Sequence, residues 1–501
     1  MKRFSTLVES PIGLVFWFTI ILQTHATDWP GFRGPNGDGV AEQEKAPIYF
    51  NASSNVLWKA ELHRGLSSPV IWKERIYLTT ETSNKLTTIC LDRLSGKKRW
   101  EQGVVVEKLE PVHSSNSHAT STPVTDGKSI YVYFGSLGVL AYDLEGKEIW
   151  RKPLPIPQTF SNQGTGTSPI LAGEKLLIFI QIGNESHILA LNPADGREIW
   201  KAPMPIYNNG YSTPVTWKED GNGFVGMACA TRFSAFHLSD GKEAWWVNDI
   251  GYQACSTPVV AGDRLVVTAA GVLGDASNIT PPPTFEEAIK KYDRDGDGLI
   301  GYDEIPSDLL YTDRHASQGQ GNMSLKSALR MFAGVKATDK LDSAKWESVR
   351  APLVGFQTGQ MNRTVALCVR TGGKEDVTVS HVVWKETKGV PEVPSPLVSQ
   401  GRIYLIRSGG LLVCRDLSTG KLIYENRIDS PGGYFASPIV ADGRIYVCSD
   451  RGTVTVVRAG DSFEVLARND LQEAIHASPV IAGNTLYIRS AKSLWAFADT
   501  K

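Results

Sequence analysis

The sequence predicts an all-β fold: an eight-bladed β-propeller of four-stranded blades, interrupted once by a small helical insertion. Three observations lead there. A Ser/Thr-Pro dipeptide followed by an aliphatic residue recurs eight times, at Ser68, Thr122, Ser168, Thr213, Thr257, Ser395, Ser437 and Ser478, mostly about 41 to 54 residues apart. A polar turn followed by a large ring recurs in step, from Asp92 to Trp100, Asp143 to Trp150, Asn192 to Trp200, His237 to Trp245 and Asp416 to Tyr424. The last repeat stops at Leu494-Trp495-Ala496-Phe497, one strand short, while Asn55 to Leu62 supplies a strand ahead of the first.

Taken along the chain, Met1-Lys2-Arg3, an apolar run from Gly13 to Leu22 and the small-residue site Thr24-His25-Ala26 predict a signal peptide over residues 1–26. The protein is therefore expected to be exported, periplasmic or extracellular. No later stretch approaches the ~20 apolar residues a membrane-spanning helix needs. Residues 27–54 read as an irregular segment. Blades one to five then occupy 55–271, counting 55–62 as the closing strand, and blades five to eight resume over 361–501. Each repeat holds a short apolar run after the proline, a polar turn and a second alternating run such as Arg75-Ile76-Tyr77-Leu78. In the recurring turn an Asx side chain and a glycine tighten the hairpin, and the ring beyond is expected to pack between neighbouring units. A lone blade has two apolar faces, so it must stack, and radial stacking buries both. Pairing 55–62 with the last repeat closes the ring and removes an exposed edge.

The long interval between Thr257 and Ser395 holds the insertion, over 272–360, in the loop between the second and third strands of blade five. Its run Asp293-Arg294-Asp295-Gly296-Asp297-Gly298-Leu299-Ile300-Gly301-Tyr302-Asp303-Glu304 matches the twelve-position EF-hand calcium loop. Calcium is a hard cation that takes several oxygens, here the carboxylates of Asp293, Asp295 and Asp297, the Leu299 carbonyl, a water at Gly301 and a bidentate Glu304. Gly298 sits where the loop turns sharply. Thr284 to Tyr292 has helical spacing and leads into the loop. A second, damaged copy runs from Gly334 to Lys345; Gly334, Lys336, Thr338 and Lys345 at its ligand positions offer almost no anionic oxygen, so it reads as a partner without metal.

The insertion shares a face with the segments preceding each Ser/Thr-Pro. His113, His118, Asn162, Gln163, Tyr211, Tyr252, Gln253, Tyr434 and His476, with Asn116 and Asn208, are expected to converge there on a funnel mouth. Such amide, imidazole and phenol groups orient bound molecules. His113 and His118 could be offered as metal ligands, although the sequence places no carboxylate or cysteine beside them, which makes two histidines on a loop a weak signal. The formal net charge is −1, and near −2 without residues 1–26, which gives no argument for nucleic acid. Six cysteines lie singly in apolar strand-like runs and read as small core residues.

The Ser/Thr-Pro starts and Asp-to-Trp turns resemble the tryptophan-docking repeats of the pyrroloquinoline-quinone-like (PQQ-like) β-propeller superfamily, over most of the mature chain. That superfamily includes quinone-cofactor alcohol dehydrogenases and the outer-membrane assembly lipoprotein BamB. Asp28-Trp29-Pro30-Gly31-Phe32-Arg33-Gly34-Pro35 resembles a segment of exported members. The resemblance implies either an exported calcium-binding propeller that binds or scaffolds, as BamB does in envelope assembly, or an oxidoreductase using PQQ. The adjacent cysteine pair of the methanol-oxidising branch and a haem site are absent, and no lipidation cysteine marks a lipoprotein. No base or cofactor-calcium ligand can be placed. The sequence thus favours a module that takes a protein, peptide or carbohydrate at its mouth, and it does not name the ligand.

Overall fold

A computed structural model describes residues 28–159, 162–204, 210–271, 279–312, 323–358, 363–430 and 432–499. The expected signal peptide lies outside them, as does Asn208. Eight sheets, each built on four antiparallel strands, succeed one another along the chain, and the fourth gains a fifth strand at its edge. Blade one is typical, running Val70–Trp72, Arg75–Thr82, Lys85–Asp92 and Lys98–Val105, its second and third strands buried almost throughout and its fourth largely exposed. Blade eight has the order Val56–Glu61, Ser493–Phe497, Thr485–Arg489, Val480–Ala482, so the chain's first strand completes its last sheet. Trp58 pairs with Ala496 and Ala60 with Leu494. Backbone bonds from Leu62 N–H to Lys492 (2.8 Å) and from Ala498 N–H to Asn55 (3.0 Å) carry the pairing across 55–62.

The recurring rings dock between blades. The indole N–H of Trp58 donates to the Arg93 carbonyl, Trp100 to Leu144, Trp150 to Pro193, Trp200 to Leu238 and Trp384 to Leu417, at 2.8–3.2 Å. Each indole lies flat on the next turn's glycine; a Cβ at Gly96 would stand 2.5 Å from Trp58, and φ there is +68°. Glycine is thus required twice over, for the left-handed turn and for the ring's approach. The turns are tightened as expected, with Asp92, Asp143, Asn192 and Asp416 Oδ1 accepting backbone N–H groups. Trp245 departs from the pattern. Blade five replaces the turn that would seat it by an excursion whose Glu375–Asp376 adds a parallel strand to the edge of blade four. The fully buried Trp245 indole N–H has no partner among the described residues, and its ring packs on Trp217 and Phe233.

The Ser/Thr of the repeated dipeptide has a role that periodicity does not reveal. Around the axis Ser68 N–H donates to Thr122 Oγ1, Thr122 to Ser168, Ser168 to Thr213, Thr213 to Thr257, Thr257 to Ser395, Ser395 to Ser437 and Ser437 to Ser478, at 2.9–3.1 Å. Each hydroxyl thus satisfies a backbone donor of the preceding blade's innermost strand, next to a proline that has none. At the seam between blades eight and one, buried Arg489 donates to the Ser67 carbonyl (3.0 Å) and Oγ (2.6 Å). Ser168→Ala is expected to orphan the buried Thr122 N–H and to lower stability by about 1–3 kcal/mol in chemical denaturation; Ser168→Thr, which keeps the acceptor, should recover most of it.

Residues 28–54 run across the hairpin face. Trp29 bridges to Ile71, Val40 to Val440, and Phe50 packs on Phe497 at 4.7 Å. Arg33, 1% exposed, donates to the carbonyls of Asp38 (2.6 Å) and Pro396 (2.8 Å), tying the segment to blade six. The six cysteines are unpaired, and all but the half-buried Cys255 are buried.

Between the second and third strands of blade five stand helices Phe285–Tyr292, Leu325–Ala333 and Ser343–Thr358 around a core of their own that includes Tyr292, Ile300, Leu341 and Trp346. Thr284 and Glu287 form a capping box on the first helix. Ile300–Gly301 pairs antiparallel with Lys340–Leu341, joining the acidic loop to the Gly334–Lys345 loop. No helix follows Glu304; Pro306 lies two residues on, and the chain turns into the strand Leu310–Thr312.

Candidate functional site

A cavity of about 210 Å³ lies on the propeller axis at the face of the segments preceding each Ser/Thr-Pro. All eight repeat hydroxyls line it. Each of seven accepts one backbone N–H, and among the described residues none of the eight donates to a protein acceptor, so their O–H groups face the lumen as donors. Above them stand Gln163, Tyr211, Gln253, Cys255, Phe435 and His476. Phe435 and His476 form a ring pair with centroids 4.9 Å apart. Burial pushes the His476 imidazole below its ordinary pKa, Arg64 pushes the same way and Asp450 opposes them, so the ring is neutral at neutral pH. Burial also pushes the Cys255 thiol up to about 12, which leaves it an unreactive thiol. Phe32 borders both this cavity and the cleft on the opposite face, where residues 30–37 cross the axis. The cavity is a blind cup, open at one face. No Asp, Glu, Lys or Arg lines it.

Of the residues expected at the mouth, Asn116, Gln163, Tyr211, Gln253 and His476 line the cup, five others do not, and Asn208 lies outside the described residues. His118 is locked in the wall, Nδ1 on the Glu81 carboxylate (2.5 Å) and Nε2 on the Glu110 carbonyl (3.0 Å). Beside it the buried Glu110 carboxyl, raised by burial, accepts the Thr165 N–H and hydroxyl. Exposed His113 bonds Ser115 in its own loop, and Asn162 is exposed at a left-handed turn with φ +54°. Buried Tyr434 donates to the Ser430 carbonyl, and Tyr252 stands outside the lining. Asn116 lines the cup but is committed to the Gln163 and Thr165 carbonyls at 2.8 and 3.0 Å. Sequence reasoning missed Phe435, Phe32 and the hydroxyl ring. The ring had a signal, since Ser or Thr stands at all eight positions.

A second site is the acidic loop, and no residue of the insertion's described part lines the cup. Carboxylate oxygens of Asp293, Asp295 and Asp297 come within 4.8 Å of one another. Gly296 and Gly298 turn the loop at φ +74° and +77°, and their N–H groups donate to Asp293 at 2.8 and 3.1 Å, which aims that carboxylate inward. Glu304, 7% exposed, reaches back over the loop; Oε1 accepts from Arg294 (2.8 Å) and Asp295 (3.3 Å), Oε2 from Gly301 (2.7 Å). Leu299 and Gly301 lie between, at positions that offer a carbonyl and room for water. From the paired loop, the Lys340 ammonium bonds Asp295 at 3.0 Å and also Asp297, and it holds Asp295 below the ordinary carboxylate pKa. This all-oxygen donor set fits a hard divalent cation, provided Lys340 gives way.

Among solved structures, BamB from Moraxella catarrhalis shares the fold, with 13% identity and a TM-score of 0.51 over 89% of this chain and 98% of that one. So do a europium-containing methanol dehydrogenase (11%, TM-score 0.54, 94% and 98%) and the quinohemoprotein alcohol dehydrogenase ADHIIG of Pseudomonas putida HK5 (11%, 0.51, 95% and 81%). At such identities the likeness carries the fold alone. No curated protein matches the chain in sequence. The family model for the outer membrane protein assembly factor BamB matches residues 40–180, 184–302 and 373–464, more than half of the chain, with the repeats and docked tryptophans described above. The protein therefore belongs to the PQQ-like β-propeller family of the assembly factor BamB.

Proposed function

We propose that the chain is an exported propeller that works as a binding module, taking its ligand in the axial cup, with calcium held in the 293–304 loop as a structural ion of the insertion. The carrying observation is the cup itself: blind, lined by amides, hydroxyls and aromatic rings, and free of charged side chains. It offers polar groups that orient a ligand, while its one imidazole, His476, packs against Phe435 and its one thiol, Cys255, is kept protonated by burial. Export fits the expected signal peptide, and no helix among the described residues is long and apolar enough to cross a membrane. Kinship with BamB also supports a scaffold role.

The oxidoreductase reading asks the cup to hold a quinone tricarboxylate with its own metal ion. The residues present do not fit that group, because no cationic side chain answers its carboxylates and no carboxylate answers the ion. The purified mature protein, incubated with PQQ and calcium and then desalted, is expected to retain no quinone absorbance and to show no dye-linked alcohol oxidation. A stoichiometric chromophore with turnover would overturn the binding-module reading.

A further inference from the structure

We propose that the axial cup receives the terminal residue of a neutral saccharide. The proposal rests on the reading of the cup as a binding site and names the chemistry of its occupant.

Three features of the cup select this class. The lining carries no charge. A peptide end brings an ammonium or a carboxylate, and a nucleotide or phosphorylated sugar brings an anion; each would be desolvated without a counter-charge, which is strongly unfavourable. A neutral sugar brings only hydroxyl and ether oxygens. The second feature is hydrogen-bonding capacity. The repeat hydroxyls use a lone pair on a neighbouring N–H and keep their O–H free to donate, and that N–H polarises the hydroxyl further. Higher in the cup, the side-chain amides of Gln163 and Gln253 make no hydrogen bond to the described residues, and each offers both a donor and an acceptor. Oxygens that accept from the ring and donate to the amides are what a polyol supplies. The third feature is the Phe435 ring, which lines the cup, packs on His476 with the two planes tilted by 36°, and offers an aromatic surface against which the C–H face of a pyranose can lie.

Shape then decides how much of a saccharide enters. The cavity's about 210 Å³ lies below the range of about 300–1,000 Å³ usual for small-molecule sites. With Phe32 closing the far end, a chain cannot thread through. One ring enters, end-on, and the remainder of a glycan lies across the mouth. His476 keeps that surface uncharged at neutral pH, consistent with a neutral occupant.

The test uses the full mature protein. Methyl glycosides of glucose, galactose, mannose and N-acetylglucosamine are titrated by saturation-transfer NMR and calorimetry. Glucuronate, galacturonate, and a tripeptide with free and with blocked ends are run beside them. At least one neutral glycoside is expected to saturate with Kd of about 0.1–10 mM. The uronates should bind at least about tenfold more weakly. Phe435→Ala and Gln253→Ala, each checked for an unchanged unfolding midpoint, should weaken the neutral ligand about tenfold. Absence of saturation by every neutral glycoside overturns the inference, as do uronates that bind equally well or a glycoside that neither variant affects. Tripeptide binding lost in Phe435→Ala would overturn the saccharide while leaving the cup as the binding site. Retention of quinone would overturn both.

Discussion

A chain shortened to begin at His63 is expected to lose cooperative unfolding and to aggregate, whereas one beginning at Asn55 should still form a closed ring. The two differ only in residues 55–62, whose strand Val56–Glu61 supplies the outer edge of blade eight against Ser493–Phe497. Without it that sheet ends in an unpaired edge, and the join between the first and last blades loses its backbone ladder. Most of the side-chain contribution comes from Trp58, 9% exposed, which lies on Gly96, donates to Arg93 and meets the Tyr487 ring at 6.0 Å. Trp58→Ala in the full mature chain is expected to lower stability by about 3–5 kcal/mol, a large part of the ~5–15 kcal/mol that usually separates folded from unfolded. Urea titration followed by tryptophan fluorescence and size-exclusion chromatography measures all three chains. A chain beginning at His63 with the midpoint of the full mature protein would show that the ring does not depend on this closure.

Glu304→Gln should lower calcium affinity by about 100-fold or more. Loss of an outer-shell partner of a metal typically weakens binding about 10–100-fold, and Glu304 is the proposed bidentate ligand itself. The amide also cannot replace both carboxylate oxygens that accept from Arg294, Asp295 and Gly301, so the loop loses part of its shape with its ligand. Lys340→Gln should act in the opposite sense. Its ammonium stands between Asp295 and Asp297 and must be displaced by an entering cation, so its removal is expected to tighten binding several-fold. Calorimetry on the two variants decides, and unchanged affinity in Glu304→Gln would remove the calcium assignment. Because the insertion has its own core, the ion should stabilise the unit that unfolds with it. Hydrogen exchange with and without chelator is expected to differ mainly within 279–358; equal changes in all eight blades would tie the ion to the ring.

Period and punctuation made the ring legible. The eight dipeptides set the number of blades, and a missing last strand with a spare first one located the closure at residues 55–62. The Asx, glycine and tryptophan spacing announced interlocked blades, because the glycine that permits the turn is also the one the indole covers. The clustering of Asp293, Asp295 and Asp297 was legible for the same local reason, since these carboxylates lie within five consecutive residues. The cup was legible only in part. His118 and Tyr434 sit in the same loop segments as residues that line it, yet one is held by Glu81 and the other by the Ser430 carbonyl. Whether a side chain in such a loop faces the axis or the blade wall depends on partners tens of residues away.

The sequence by itself determined the eight blades, the strand that closes them, the place of the insertion and the acidic run of its loop, all carried by spacings of a few to some fifty residues. Only the tertiary structure decided the rest. It placed Phe32 across the axis, put Lys340 of the paired loop among the carboxylates, ended the acidic loop without a helix and turned eight hydroxyls towards one lumen. These outcomes depend on contacts between residues far apart in the chain, such as Ser437 with Ser478 or Arg33 with Pro396, and a linear pattern does not record which distant groups a folded backbone brings within 3 Å.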